Sequence, residues 1–165
     1  MKSLFQDLAE ANRYINQEWL EMLAPLSLEE LDRPQGSFFG TIFGTFNHIL
    51  LGDRVWLGRI GGRPFSFRKL SDRLCATVEE FRKERAKTDE ALIALVEGEQ
   101  EFERVIQYSN NQGNPDSQRL YQILLHLFAH QNHHRGHISQ MCHERSIAIP
   151  DGGYIAFYRA GMGKK

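Results

Sequence analysis

The sequence lacks most of what marks a secreted, membrane or nucleic-acid-binding protein. It holds only two cysteines, Cys75 and Cys142, far apart and in no CxxC pair. Neither a structural disulfide nor a cysteine-rich zinc site is expected from that pattern. No apolar run approaches the length that spans a bilayer. The first residues, MKSLFQDLAEANRY, carry acids and amides where a signal peptide needs an apolar stretch, so the expected compartment is the cytoplasm. The net charge is -1, and no basic stripe or tail extends beyond Lys164-Lys165. That balance argues against a partner read through its phosphates, DNA or RNA. Internal repeats, low-complexity tracts and long linkers are absent as well. What is present is an ordinary globular mixture, 41% apolar and 25% charged, in 165 residues. The length suits one domain, residues 1–165, with a hydrophobic core of its own.

Apolar periodicity predicts four long helices. The first spans about residues 4–23, with Leu4, Leu8, Tyr14, Ile15, Trp19 and Leu23 among its apolar positions, and Pro25 stops it. A loop over 25–38 contains a helical turn at SLEEL. The second helix covers about 41–60 and ends at Gly61-Gly62 and Pro64. The third covers about 77–97, with Gly98 as its C-cap. Residues 101–113 alternate weakly and close on Asn110-Asn111-Gln112-Gly113, a strand-like excursion with a turn. Pro115-Asp116-Ser117 reads as the start of a fourth helix over about 117–144. A short terminal helix follows Asp151-Gly152-Gly153. Long helices with apolar stripes bury them against one another, so the fold class is all-α, a four-helix bundle.

Seven histidines are present, and four of them fall in His130-Gln131-Asn132-His133-His134-Arg135-Gly136-His137. On a helical wheel with His126 at zero, the apolar face of the fourth helix centres at roughly 100°. His134 then falls at roughly 80° and His130 at roughly 40°, whereas His137, at roughly 20°, and His133, at about 340°, lie further out. His130 and His134 are thus an inward i,i+4 pair, and two stacked imidazoles can share one metal ion. A catalytic zinc typically has three protein ligands and one open position. With His126 counted in the cluster, one turn before His130, only His143 and His48 remain outside it. His143 lies more than two turns past His134, so His48 on the second helix enters by elimination. The wheel places His48 roughly 140° from the apolar centre of its own helix, at the edge. The plainer reading is that a lone histidine is an interior residue with a hydrogen bond, and that His133 and His143 are solvated. A His-rich tract can also bind metal loosely.

Two segments carry a resemblance to a known family. GSFFGTIFGTFNHILLGDRVWLGRIGG, residues 36–62, resembles the second helix of the DinB-like metalloenzymes, with its His followed by Asp and Trp. LYQILLHLFAHQNHHRGHISQM, residues 120–141, resembles the ligand helix of that family, an H, three residues, then H-R-G. The order of N-terminal helix, LSLEELDRP loop and LSDRL lead-in adds weaker support. The family is related to the YfiT-like proteins and the thiol-dependent S-transferases, and is distinct from the lesion-bypass polymerase sharing its name. The resemblance implies a divalent metal, nickel or zinc, held by His48, His130 and His134. It further implies an up-down-down-up bundle, often a homodimer, and the loop at 61–76 is long enough for the crossover this topology needs. One departure stands out: His137 replaces the Gln that commonly follows H-R-G, and could act beside the site or carry protons.

Three imidazoles and an open position let a divalent metal lower the pKa of a bound water or thiol, and the resemblance implies a metal-dependent transferase that presents a low-molecular-weight thiol to a small-molecule substrate, with a hydrolase as the bound-water counterpart. A non-catalytic, DNA-damage-induced metal-binding protein is the competing class. Asp53, on the apolar side of the second helix, is a candidate to orient a ligand imidazole; the alternative is an ion pair with a basic residue. Arg135 is read as a structural ion-pair partner before an anion binder. Trp19, Trp56, Phe38, Phe39, Phe43 and Phe46 are read as core, and Cys142 as an inert core residue.

Overall fold

The computed structural model describes residues 1–151 and 153–163; Gly152, Lys164 and Lys165 lie outside them. Six helices and one hairpin follow in order: α1 (Lys2–Leu23), α2 (Leu28–Leu31), α3 (Ile42–Ile60), α4 (Val78–Gly98), β1 (Val105–Ser109), β2 (Pro115–Arg119), α5 (Leu120–His143) and α6 (Tyr154–Arg159). Hydroxyl caps set several helix starts. The Thr41 side chain accepts from Gly44 N–H, Thr77 from Glu80 N–H, and Ser27 forms a capping box with Glu30.

Contacts between helices fix their directions. Arg82 of α4 bonds Glu21 near the end of α1, and Phe5 near its start clusters with Leu92 and Val96 late in α4, so α1 and α4 are antiparallel. Phe43 and Phe81, both early in their helices, meet in one cluster, and Ile60 joins Val96 in the other, so α3 and α4 run parallel. Ile42 packs with Ile138, and Ile60 with Ile123, which makes α5 antiparallel to α3. The bundle is therefore up-down-down-up. The chain crosses over between α3 and α4 through residues 61–77. Asn47 Oδ1 pins this crossover to α3 by accepting from the backbone N–H groups of Leu74 and Cys75.

The core is split. One cluster (Ile15, Trp19, Phe43, Phe46, Phe81, Ile138, Met141 and neighbours) fills one end, and a second (Phe5, Leu92, Val96, Phe102, Leu120, Leu127 and neighbours) fills the other. A buried polar layer separates them. Asn12 and Asn16 come from α1, Asp53 from α3, Arg85 and Asp89 from α4, and Gln131 and Arg135 from α5. Arg85 Nη1 donates to Asp53 Oδ2 at 2.5 Å, Gln131 Nε2 donates to both Asp53 oxygens, and Arg135 Nη1 donates to Asn12 and Asn16. Arg85 Nη2 lies 2.9 Å from Asp89 Oδ1, a charge contact outside hydrogen-bond geometry. Burial pushes the Asp53 carboxyl up to about 6 against the pull of Arg85, and pushes Arg135 down to about 10.

The hairpin corrects one boundary. Residues 117–119, expected in the first turn of the last long helix, belong with Pro115 and Asp116 to the antiparallel partner of Val105–Ser109. Asn110 Oδ1 accepts from Gln112 and Asn114 N–H, and Gly113 takes φ 82°, so the turn closes a two-stranded ribbon. Pro115 tolerates this place because it ends the ladder at a ribbon edge.

Candidate metal centre

Three helical imidazoles meet at the side of the bundle. His48 comes from the middle of α3, and His130 and His134 from successive turns of α5. His48 Nε2 lies 3.0 Å from His130 Nε2 and 3.2 Å from His134 Nε2. The ring centroids are 4.4 to 4.9 Å apart. His48 and His134 are buried, at 4% and 7% exposure, and His130 is half-buried.

These contacts are not an ordinary hydrogen-bonded trio. His48 Nδ1 sits 2.8 Å from the Leu70 carbonyl of the crossover, and a carbonyl can only accept, so Nδ1 carries the proton. The neutral ring therefore turns a bare Nε2 toward the other two. Nitrogen ligands of one tetrahedral zinc, at Zn–N of about 2.05 Å, stand about 3.3 Å apart, close to the spacing seen. A backbone carbonyl on the far nitrogen of a ligand histidine is the usual means of fixing tautomer and ring angle. The residues fit a divalent cation on both counts, and no fourth His, Cys, Asp or Glu joins the group among the described residues.

Electrostatics keeps the ligands unprotonated. Burial, and then the neighbouring rings His48, His126 and His133, hold His130 down to about 4. Burial, followed by His130 and His48, holds His134 down to about 3. Burial lowers His48 as well, opposed by its bond to Leu70. In the metal-free protein the unfolded chain thus binds protons that the folded site refuses. The stability contribution is whole above pH 6.5 and is lost as pH falls toward 4 and 3. Urea unfolding of the metal-free protein should show the free energy dropping between pH 6.5 and 5, with His134 alone contributing up to about 1.4 kcal/mol per pH unit. A flat profile there would mean that the imidazoles are solvated.

Two neighbours make the packing possible. Phe39, just before α3, stacks on His48 with centroids 3.7 Å apart and planes at 17°. Gly52, one turn after His48, leaves room for the His130 ring: a Cβ there would stand 3.0 Å from His130 Cε1 and 3.4 Å from Nδ1. A glycine inside a helical run was the available sequence signal for this close approach. Gly52→Ala should raise or keep helix stability, by up to about 1 kcal/mol, yet weaken metal binding at least about tenfold by displacing His130. Thermal melts together with a competitive chelator titration read the two effects; unchanged affinity would show that the ring has slack.

Other expected residues fall elsewhere. Asp53 meets no imidazole. It faces α4 and the polar layer, where Arg85 and Gln131 occupy its oxygens, so its role is the ion pair. His137 stands at the cavity wall, 5.4 Å from the His134 ring and 4.4 Å from His133, with no contact to His48 or His130. His133 is exposed. Arg135 donates to three asparagines, Asn12, Asn16 and Asn132, and to no carboxylate. Trp19, Phe43 and Phe46 are core, whereas Phe38 is 86% exposed and Phe39 and Trp56 join Phe38 in lining the cavity. Cys75 and Cys142 are free and buried, and burial pushes both thiols up to about 11.

The triad forms one wall of a cavity of about 420 Å³, lined also by Phe39, Gly52, Trp56, Leu70 and His126. Among curated proteins none matches the chain. The DinB family model matches residues 1–146. The match covers all four long helices and every residue of the triad, and the chain belongs to the DinB family.

Proposed function

We propose that the protein is a metal-dependent enzyme, in which His48, His130 and His134 hold nickel or zinc and a small molecule reacts in the adjoining cavity. One observation carries this: three Nε2 atoms converge on a single point at a cavity wall, with no fourth side chain closing the group among the described residues. A closed four-ligand site would instead suit a structural ion. Imidazole ligands suit both metals. A divalent cation here supplies Lewis acidity, which lowers the pKa of a water or thiol.

The chain's own residues do the rest. Leu70 holds the His48 tautomer, Phe39 stacks on that ring and screens it from water, and Trp56 and His126 extend an aromatic wall along the cavity. The described cysteines are buried with raised pKa, so neither supplies a nucleophile. A nucleophile from solution fits this arrangement, and a low-molecular-weight thiol transferred to a small electrophile is the reaction we favour, with hydrolysis as its oxygen counterpart.

Cobalt substitution tests this. The cobalt protein should show the visible bands of a low-coordinate site, and 2-mercaptoethanol or cysteine should add near-ultraviolet sulfur-to-cobalt absorption. Bands without a thiol response would favour hydrolysis. Absence of stoichiometric cobalt bands would overturn the metal reading.

A further inference from the structure

Arg59 lies in the last turn of α3, where the triad cavity meets a larger one. The second cavity, about 920 Å³, shares Val55, Arg59 and Asn111 with the first. The guanidinium carbon lies 4.7 Å from the Trp56 centroid and 5.0 Å from that of Tyr108, beside two rings that meet edge to face at 5.2 Å. Its Nη2 donates to Asn111 Oδ1 at 2.7 Å, and among the described residues no other side-chain hydrogen bond or salt bridge engages it. The nearby carboxylate, Asp116, lines the larger cavity and acts on Arg59 through charge without forming a salt bridge to it. Two other half-buried arginines are neutralised locally: Arg54 by Glu84 and Arg104 by Glu99. Arg59 is an oriented, half-buried cation with donors to spare, facing a cavity junction.

We propose that Arg59, with Asn111, is the recognition site for a carboxylate on the substrate. The planar fork of a guanidinium suits a carboxylate in two-point contact, and contact with two aromatic rings together with the bond to Asn111 restrains it before the ligand arrives. Between Arg59 and His130 runs an aromatic path: Trp56 lies 5.5 Å from His126, and His126 lies 5.8 Å from His130. Gly52, against His130, and Arg59 are seven residues apart on α3, a rise of about 10 Å. The substrate class is therefore an elongated small molecule, anionic at one end, apolar along its middle, with its reacting group about 10 Å away at the triad. This inference rests on the metal reading above.

Suberic acid monohydroxamate and its methyl ester are suitable probes, because the hydroxamate ligates a metal whatever the native reaction. On the zinc-loaded protein, calorimetry should find the acid about tenfold tighter than the ester, as one charge-assisted contact gives. Arg59→Met keeps the aliphatic packing; it should remove the preference and leave ester affinity unchanged. Equal binding of acid and ester to the wild type, with both depending on zinc, would overturn the carboxylate site while leaving the metal centre standing. If neither probe binds in a zinc-dependent way, the metal reading falls and this inference with it.

Discussion

His48→Ala should abolish stoichiometric metal binding while His133→Ala leaves it intact. This comparison is sharper than one within the last long helix. His133, His134 and His137 also bring ring nitrogens within 4.8 Å of one another, so a loose site on the surface of α5 would share His134 with the triad. Substitution of His134 alone would damage either arrangement. His48, however, belongs only to the interhelical group, and His133 only to the surface one. Losing a partner outside the ligand set commonly costs 10–100-fold in metal affinity, and losing one of three ligands should exceed about 100-fold. His130→Ala should behave as His48→Ala does. Equilibrium dialysis with elemental analysis gives the stoichiometry, and chelator competition the affinity. If His133→Ala loses as much as His48→Ala, binding is diffuse and the convergent geometry is not the metal site.

The parts of this centre were unequally legible in the sequence. On α5 one face is apolar and the other wet, so a wheel separates buried His134 from exposed His133. On α3 it misleads. Buried residues there include Phe43, Phe46, Asn47, His48, Ile49, Leu50, Asp53 and Val55, which together surround the axis, so the centre of apolarity says little about what is covered. His48 is covered by Phe39 and by the crossover at Leu70, segments without periodic signal. Elimination and then the family pattern, not the wheel, singled out His48. Asp53 shows a related limit: periodicity says that a residue faces inward, not which neighbouring helix it meets, and the partner proved to be Arg85 of α4. The start of the last long helix failed for a third reason. Pro115-Asp116-Ser117 is a fair helix start in isolation, but the strand at Val105–Ser109 needs a hydrogen-bonding partner, and tertiary pairing overrides the local signal.

Arg85→Ala should destabilise the bundle by about 3–5 kcal/mol, the usual cost of leaving a buried charge without its partner. For a chain of this size, that lowers the melting temperature by on the order of 10 °C. Arg85 is 2% exposed and sits between Asp53, at 0%, and Asp89, at 3%. No water-exposed route relieves either carboxylate once the guanidinium is gone. Burial already raises both acids above their ordinary values with Arg85 present. Removing the cation raises them further, so each carboxyl favours its protonated form in the folded protein. A folded pKa above the unfolded one makes stability fall as pH rises, so the penalty of Arg85→Ala should grow from pH 5 to pH 7. Adding Asp53→Asn should recover part of the loss, because one orphaned charge disappears while Gln131 keeps an oxygen to bond. Denaturant unfolding of the single and double variants at both pH values measures all of this. A loss under about 1 kcal/mol, independent of pH, would mean that the layer is hydrated and behaves as a surface ion pair. The metal centre gives an independent reading of the same network. Gln131 lies next to His130 on α5 and donates to Asp53, so a loosened layer should also weaken metal binding while the three histidines remain in place.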